Sequence, residues 1–207
     1  MKTSTQKIFD ELYMRYPALD SCRAGVAAAF EALLSTASGK GCVFTCGNGG
    51  SASDSEHIVG ELLKKFKKHR DIEGTVAAKL PPGLVAKLEG SVAAVSLVSM
   101  TGILTAFAND VAWETAFAQQ LYGLGRSGDV LIALSTSGNS ANCVNAALVA
   151  RAKGLKVIAM TGEGGGRLAE VADALIAVPE RETYKIQELH LPVYHALCAA
   201  LEEELFA

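Results

Sequence analysis

From Gly41 onward the chain alternates short apolar runs with amphipathic stretches, and this alternation constrains the fold more than any other feature of its 207 residues. Cys42 to Thr45, Val92 to Val98, Asp129 to Leu134, Lys156 to Met160 and Ala174 to Val178 each read as a strand. One helix is expected after the first run, ending at about Lys68. Another follows the third run to Lys153, where Gly154 stands in the position of a C-cap. Such a pattern predicts an α/β fold: a mostly parallel five-stranded sheet with helices on both faces, a three-layer sandwich. No linker or low-complexity stretch divides residues 1–207, so a single domain is expected, and a 50% hydrophobic content supplies its core.

Residues 1–40 form a helical prefix ahead of the α/β core of residues 41–207. Ile8, Leu12 and Met14 give its first helix an apolar face, Pro17 ends it, and a second helix runs from about Asp20 to Thr36. A prefix of this kind is expected to serve oligomerisation, packing on a partner subunit rather than on its own sheet. The least regular stretch, Lys67 to Gly90, centres on Pro81-Pro82-Gly83.

A net charge of −3 gives no electrostatic reason to bind nucleic acid or an anionic membrane. The basic run Lys64, Lys65, Lys67, Lys68, His69 and Arg70 reads as a solvated helix end whose cations complement the dipole. No apolar stretch approaches the length of a membrane span, and Met1 to Tyr16 lacks a signal-like run. Five scattered cysteines form neither a disulfide framework nor a zinc knuckle. A cytoplasmic protein with reduced thiols is expected.

In open parallel sheets ligands bind at the carboxyl ends of the strands, and two Gly/Ser loops lie there. Ser135-Thr136-Ser137-Gly138-Asn139-Ser140 follows an apolar strand and opens a helix. Its hydroxyls and helix-start N–H groups suit a phosphate, against the plainer alternative of an N-cap with surplus serines. The other loop, Cys46 to Ser51, contains Gly47-x-Gly49-x-x-Ala52, which fits a dinucleotide fingerprint. The acidic residue that a ribose would need at the end of a second strand is missing, so no nucleotide cofactor is expected.

The helix after that loop carries Asp54, His57 and Glu61 on one face. His57 and Glu61, four apart, suit a shared metal, a base held beside a substrate, or an ordinary surface ion pair. In the C-terminal helix, Ile186, Leu189, Val193, Leu197 and Ala200 form a core stripe, while Gln187, Leu191 and His195 lie opposite. Pro192 is expected to bend this helix just before His195.

Together these segments resemble the SIS family of sugar isomerases and, within it, the phosphoheptose isomerases. The resemblance is carried by Gly47 to Ala52 with Asp54, His57 and Glu61, by Asn109-Asp110, Gly128 to Leu131, Ser135 to Ser140 and Thr161-Gly162, and by Ile186 to His190 with His195. It implies an SIS fold and conversion of sedoheptulose 7-phosphate to a heptose 7-phosphate, with Glu61 as general base and His195 as general acid. It also implies substrate contacts from Asn48, Gly49, Gly50, Ser51, His57, Glu61, Asn109, Asp110, Ser135, Thr136, Ser137, Ser140 and Gln187. Zinc, one per subunit, would be held by His57, Glu61, Gln187 and His195, and the enzyme would be a homotetramer with sites shared between subunits. Two departures bear on the sugar: a longer 70–91 segment, and Tyr184 where some relatives carry an acidic residue. A non-catalytic SIS adaptor would keep the loops but lack the Glu61–His195 pair. An isomerase for another phosphosugar is the second alternative.

Overall fold

The computed structural model describes residues 1–206. Five strands form one all-parallel sheet: β1 (Val43–Cys46), β2 (Ala94–Ser96), β3 (Val130–Leu134), β4 (Lys156–Thr161) and β5 (Ala174–Ala177), in the order β2-β1-β3-β4-β5. All five lie within a residue or two of the apolar runs. The helices are α1 (Thr3–Arg15), α2 (Arg23–Ser38), α3 (Gly50–Leu63), the short α4 (Gly74–Ala77) and α5 (Pro82–Val85), and α6 (Thr101–Asp110). They continue with α7 (Ala116–Leu124), α8 (Ala141–Ala152), the short α9 (Gly166–Ala169) and α10 (Thr183–Leu205).

Strand alternation divides the interior into two cores. Val130, Ile132 and Leu134 point to one face, where α1, α2, α3 and α10 close over them. Leu131 and Ala133 point to the other, beneath α6, α7 and α8. The prefix departs from expectation. Val26, Ala29, Phe30 and Leu33 of α2 belong to this chain's own core, α2 packs on β5 and α10, and α1 packs on α10. An Ala-rich helix with apolar residues at three- and four-residue spacing covers the sheet edge before any partner is needed. Met14 is exposed, and Phe9, Leu12 and Tyr13 supply the buried face of α1 instead. Residues Pro17–Cys22 form a 3-10 turn, which delays α2 to Arg23.

The basic stretch is also corrected. α3 stops at Leu63, and Lys64 is extended (φ −129°, ψ 170°), so residues 64–70 are not a helix end. Glu202 of α10 causes the departure. Its carboxylate accepts the backbone N–H groups of Phe66, Lys67 and Lys68 at 2.8, 2.7 and 3.0 Å, and the Arg70 Nε–H at 2.7 Å. Arg70 in turn donates to the last carbonyls of α3, Leu62 at 2.8 Å and Glu61 at 3.0 Å. Both side chains are 1% exposed. Lys64, Lys65 and Lys68 pair with Glu61, Glu89 and Glu203. Pro192 sits inside α10 without ending it. Among the described residues no helix is long and apolar enough to cross a membrane.

Burial raises the Glu202 carboxyl's pKa, but the Phe66 and Lys67 N–H groups and Arg70 outweigh it and hold the group below its ordinary range. Its contribution to stability is therefore complete at neutral pH and is lost as pH falls through that lowered value. Glu202→Ala leaves Arg70 buried and unpaired, and should cost about 3–5 kcal/mol in urea unfolding at pH 7. The gap from the wild type should narrow in acid; a pH-independent gap would contradict a role for the carboxylate charge.

Candidate active site

β1 and β3 are neighbours at the point where the strand order reverses, with Cys46 opposite Ala133. The two Gly/Ser loops therefore leave the sheet side by side, which is where open α/β sheets bind ligands. In the loop after β1, the Gly49 carbonyl accepts the Ala52 and Ser53 N–H groups and starts α3. A Cβ at Gly50 would lie 2.8 Å from the Gln187 amide, so the Gln187 side chain would have to move. Gln187 thus closes on the start of α3, donating to the Ser51 hydroxyl at 3.4 Å.

The loop after β3 turns through Gly138 (φ 66°), where a Cβ would meet the Gly165 carbonyl at 2.0 Å. Ser135 is buried and donates to the Ser140 hydroxyl at 2.9 Å; the exposed Ser137 hydroxyl accepts the Asn139 N–H at 3.1 Å. Ser140 precedes α8 without making a side-chain capping bond to it. Its hydroxyl is not spent as an N-cap, which favours the phosphate reading of this loop over the capping one.

α3 is fixed to the sheet by a buried hydroxyl chain. Thr45 donates to the Ser55 carbonyl at 2.9 Å, and the Ser55 and Ser96 hydroxyls meet at 2.7 Å. Turning Ser55 inward presents Asp54, His57 and Glu61 toward α10. The Tyr194 hydroxyl donates to Asp54 Oδ1 at 3.1 Å and stands 3.0 Å from His57 Nδ1. His57 Nε2 lies 3.2 Å from Glu61 Oε1, and Glu61 Oε2 accepts from Lys64 at 3.0 Å. The His195 ring is 5.0 Å from the His57 ring, 4.9 Å from Tyr194 and 5.4 Å from Phe66. His195 also borders an open groove of about 430 Å³ between α1 and α10.

Tyr194 has one hydroxyl proton, and Asp54 takes it. His57 is then left to donate from Nδ1 to the phenol oxygen, which aims Nε2 at Glu61. Burial raises the Asp54 carboxyl, with Tyr194 and His57 opposing, and it pushes the Tyr194 phenol far above its usual range. Burial, followed by the nearby His57, lowers the His195 imidazole, while Glu61 works the other way. His195 thus stays neutral further into acid than an exposed histidine.

The chain brings Glu61, His57 and His195 into one group with Tyr194, and Gln187 into another with Gly50 and Ser51 at the start of α3. It does not bring in Asn109 and Asp110. Both are exposed at the end of α6, bonded to one another at 2.8 Å, and α6 covers the opposite face of the sheet from α3 and α10. Sequence reasoning missed Tyr194 and Phe66; a tyrosine inside a helical core stripe carries no signal that its hydroxyl reaches another helix.

Among the described residues no three His, Cys, Asp or Glu side chains form a ready metal cage. Two donors of the kind zinc takes do lie side by side, His57 Nε2 and Glu61 Oε1. Ligands held tetrahedrally at 2.0–2.1 Å stand about 3.3 Å apart, close to the 3.2 Å between His57 Nε2 and Glu61 Oε1. His195 Nε2 is buried without a hydrogen-bond partner among the described residues, and Tyr194 on His57 Nδ1 is the outer partner that frees Nε2 to ligate.

If the serine loop binds phosphate, Ser137→Ala combined with Ser140→Ala should lower inorganic phosphate affinity by about tenfold or more, since a hydrogen bond to a charged group contributes about 1.5–3 kcal/mol. Calorimetric titration reads this directly, and an unchanged affinity would remove the loop from the phosphate site.

Comparison with known proteins points to one family. Residues 86–162 match the SIS domain model. The chain is 43% identical to the phosphoheptose isomerase of Akkermansia muciniphila, over 79% of this chain and 77% of that one. It is 41% identical to the Rhodospirillum rubrum phosphoheptose isomerase, over 90% and 89%. The solved phosphoheptose isomerase of Neisseria gonorrhoeae superposes with a TM-score of 0.74 at 32% identity, covering 97% of this chain and 94% of that one. With its five-stranded parallel sheet and paired Gly/Ser loops, the chain belongs to the phosphoheptose isomerase family of SIS-domain proteins.

Proposed function

We propose that the protein isomerises sedoheptulose 7-phosphate to D-glycero-D-manno-heptose 7-phosphate. One observation carries the reading: α3 and α10 gather Glu61, 3.2 Å from His57, and His195, its ring 5.0 Å from the His57 ring, in a chain whose two Gly/Ser loops leave adjacent strands. The Glu61 carboxylate removes a proton from C1 of the ketose as His195 gives one to the C2 carbonyl oxygen, forming the enediol. The Glu61 carboxyl, its proton free to exchange with solvent, then protonates C2 while the O1 proton passes back to His195, which gives the aldehyde at C1. The serine loop holds the remote phosphate, whose binding energy positions the reacting end. An adaptor without chemistry would need the loops but not the acid–base pair.

Glu61→Gln and His195→Ala should each bind substrate and lose kcat by about 10²–10⁴-fold, the usual contribution of a positioned proton-transfer group. Steady-state kinetics read the loss, and near-normal turnover in either variant would move the role elsewhere.

His57, Glu61, Gln187 and His195 would hold zinc, which would supply Lewis-acid polarisation of the two sugar oxygens. Chelated protein should regain or increase activity on zinc addition, and His57→Ala should abolish that response while keeping phosphate affinity. Full activity of metal-free protein with no gain from zinc would reduce His57 to an orienting partner for Glu61.

The exposed Asn109 and Asp110 support a homotetramer in which a neighbouring copy supplies this pair to the site, a state that sedimentation at micromolar concentration reads directly. Five free thiols accord with a cytoplasmic setting.

A further inference from the structure

Asn48 sits in the glycine loop and Asn142 in the first turn of α8, just beyond the serine loop. Their amides form a reciprocal pair: Asn48 Nδ2 donates to Asn142 Oδ1 at 2.9 Å, and Asn142 Nδ2 donates to Asn48 Oδ1 at 2.8 Å. Asn142 is 3% exposed, and its Oδ1 also accepts the Cys143 N–H at 2.9 Å. Each amide therefore spends a donor and its acceptor on the other, and the pair ties the glycine loop to the start of the helix that follows the serine loop.

We propose that Asn142 is a positioning residue that fixes the spacing of the two loops by clasping Asn48, and that Asn48 serves the substrate through this clasp and its backbone rather than through a side-chain contact. The inference rests on the phosphosugar reading above. A substrate with its phosphate on one loop and its reacting end near the other binds well only if the loops are held at one separation, because a bound ligand must otherwise order them itself. Inorganic phosphate, held by the serine loop alone, is indifferent to that separation.

The predicted signature is a split. Asn142→Ala and Asn48→Ala should each lower kcat/KM for sedoheptulose 7-phosphate by about tenfold, the scale of two neutral hydrogen bonds. Inhibition by inorganic phosphate should stay within about twofold of wild type. The double variant should be no worse than either single one, since both remove the same clasp. Asn142→Leu keeps a branched, uncharged side chain and loses both bonds to Asn48, so it carries the test if the alanine variant does not fold. Sugar and phosphate affinities falling together, losses that multiply in the double variant, or a folded Asn142 variant with wild-type kcat/KM would each overturn the clasp. A wild-type protein that fails to isomerise the phosphosugar would instead overturn the function on which the clasp rests, and the clasp's role with it.

Discussion

The buried carboxylate of Glu202 holds together the parts of the structure on which the chemistry depends. It gathers three consecutive backbone N–H groups and the Arg70 guanidinium, and Arg70 passes the restraint on to the Glu61 and Leu62 carbonyls. A buried pair contributes little net stability over an apolar replacement, but removing either partner strands a charge in the core. Here the geometry has a functional consequence. The pair ends α3 two residues after Glu61 and lays Phe66 against the His195 ring. The proposed base and acid, on helices far apart in sequence, are thereby held to one frame.

Topology supplies the second constraint. An all-parallel sheet whose order reverses between β1 and β3 opens a crevice at the carboxyl ends of those strands. The chain spends its two Gly/Ser loops there. Gly50 lets Gln187 close on α3, and Gly138 lets the serine loop turn against the Gly162–Gly166 region. A side chain at position 138 would meet the Gly165 backbone, so this glycine sets the close approach of the serine loop, and the Asn48–Asn142 pair ties the glycine loop to α8.

The five strands were legible because each is a compact apolar run with no competing periodicity. Gly154 as a C-cap was legible from its place after Lys153, and its φ of 79° is the left-handed conformation such a cap requires. The grouping of Asp54, His57 and Glu61 followed from helical spacing. The end of α3 did not, because the group that captures residues 66–68 lies more than 130 positions away. The own-core packing of α2 was hidden for a related reason: an Ala-rich helix reads the same whether it covers its own sheet or a partner's. Tyr194 and Asn142 were missed because their partners come from other loops and helices. Asn109 and Asp110 were legible through resemblance alone, and a single chain leaves them outside the site.

The central claim is proton transfer between adjacent carbons by groups on α3 and α10. Sedoheptulose 7-phosphate incubated with the protein in deuterated water, and followed by NMR, tests it most directly. A new aldose signal with solvent deuterium at C2, abolished in Glu61→Gln, is the predicted result. An unchanged ketose spectrum with the wild-type protein, or the same deuterated aldose formed at wild-type rate by Glu61→Gln, would contradict the account.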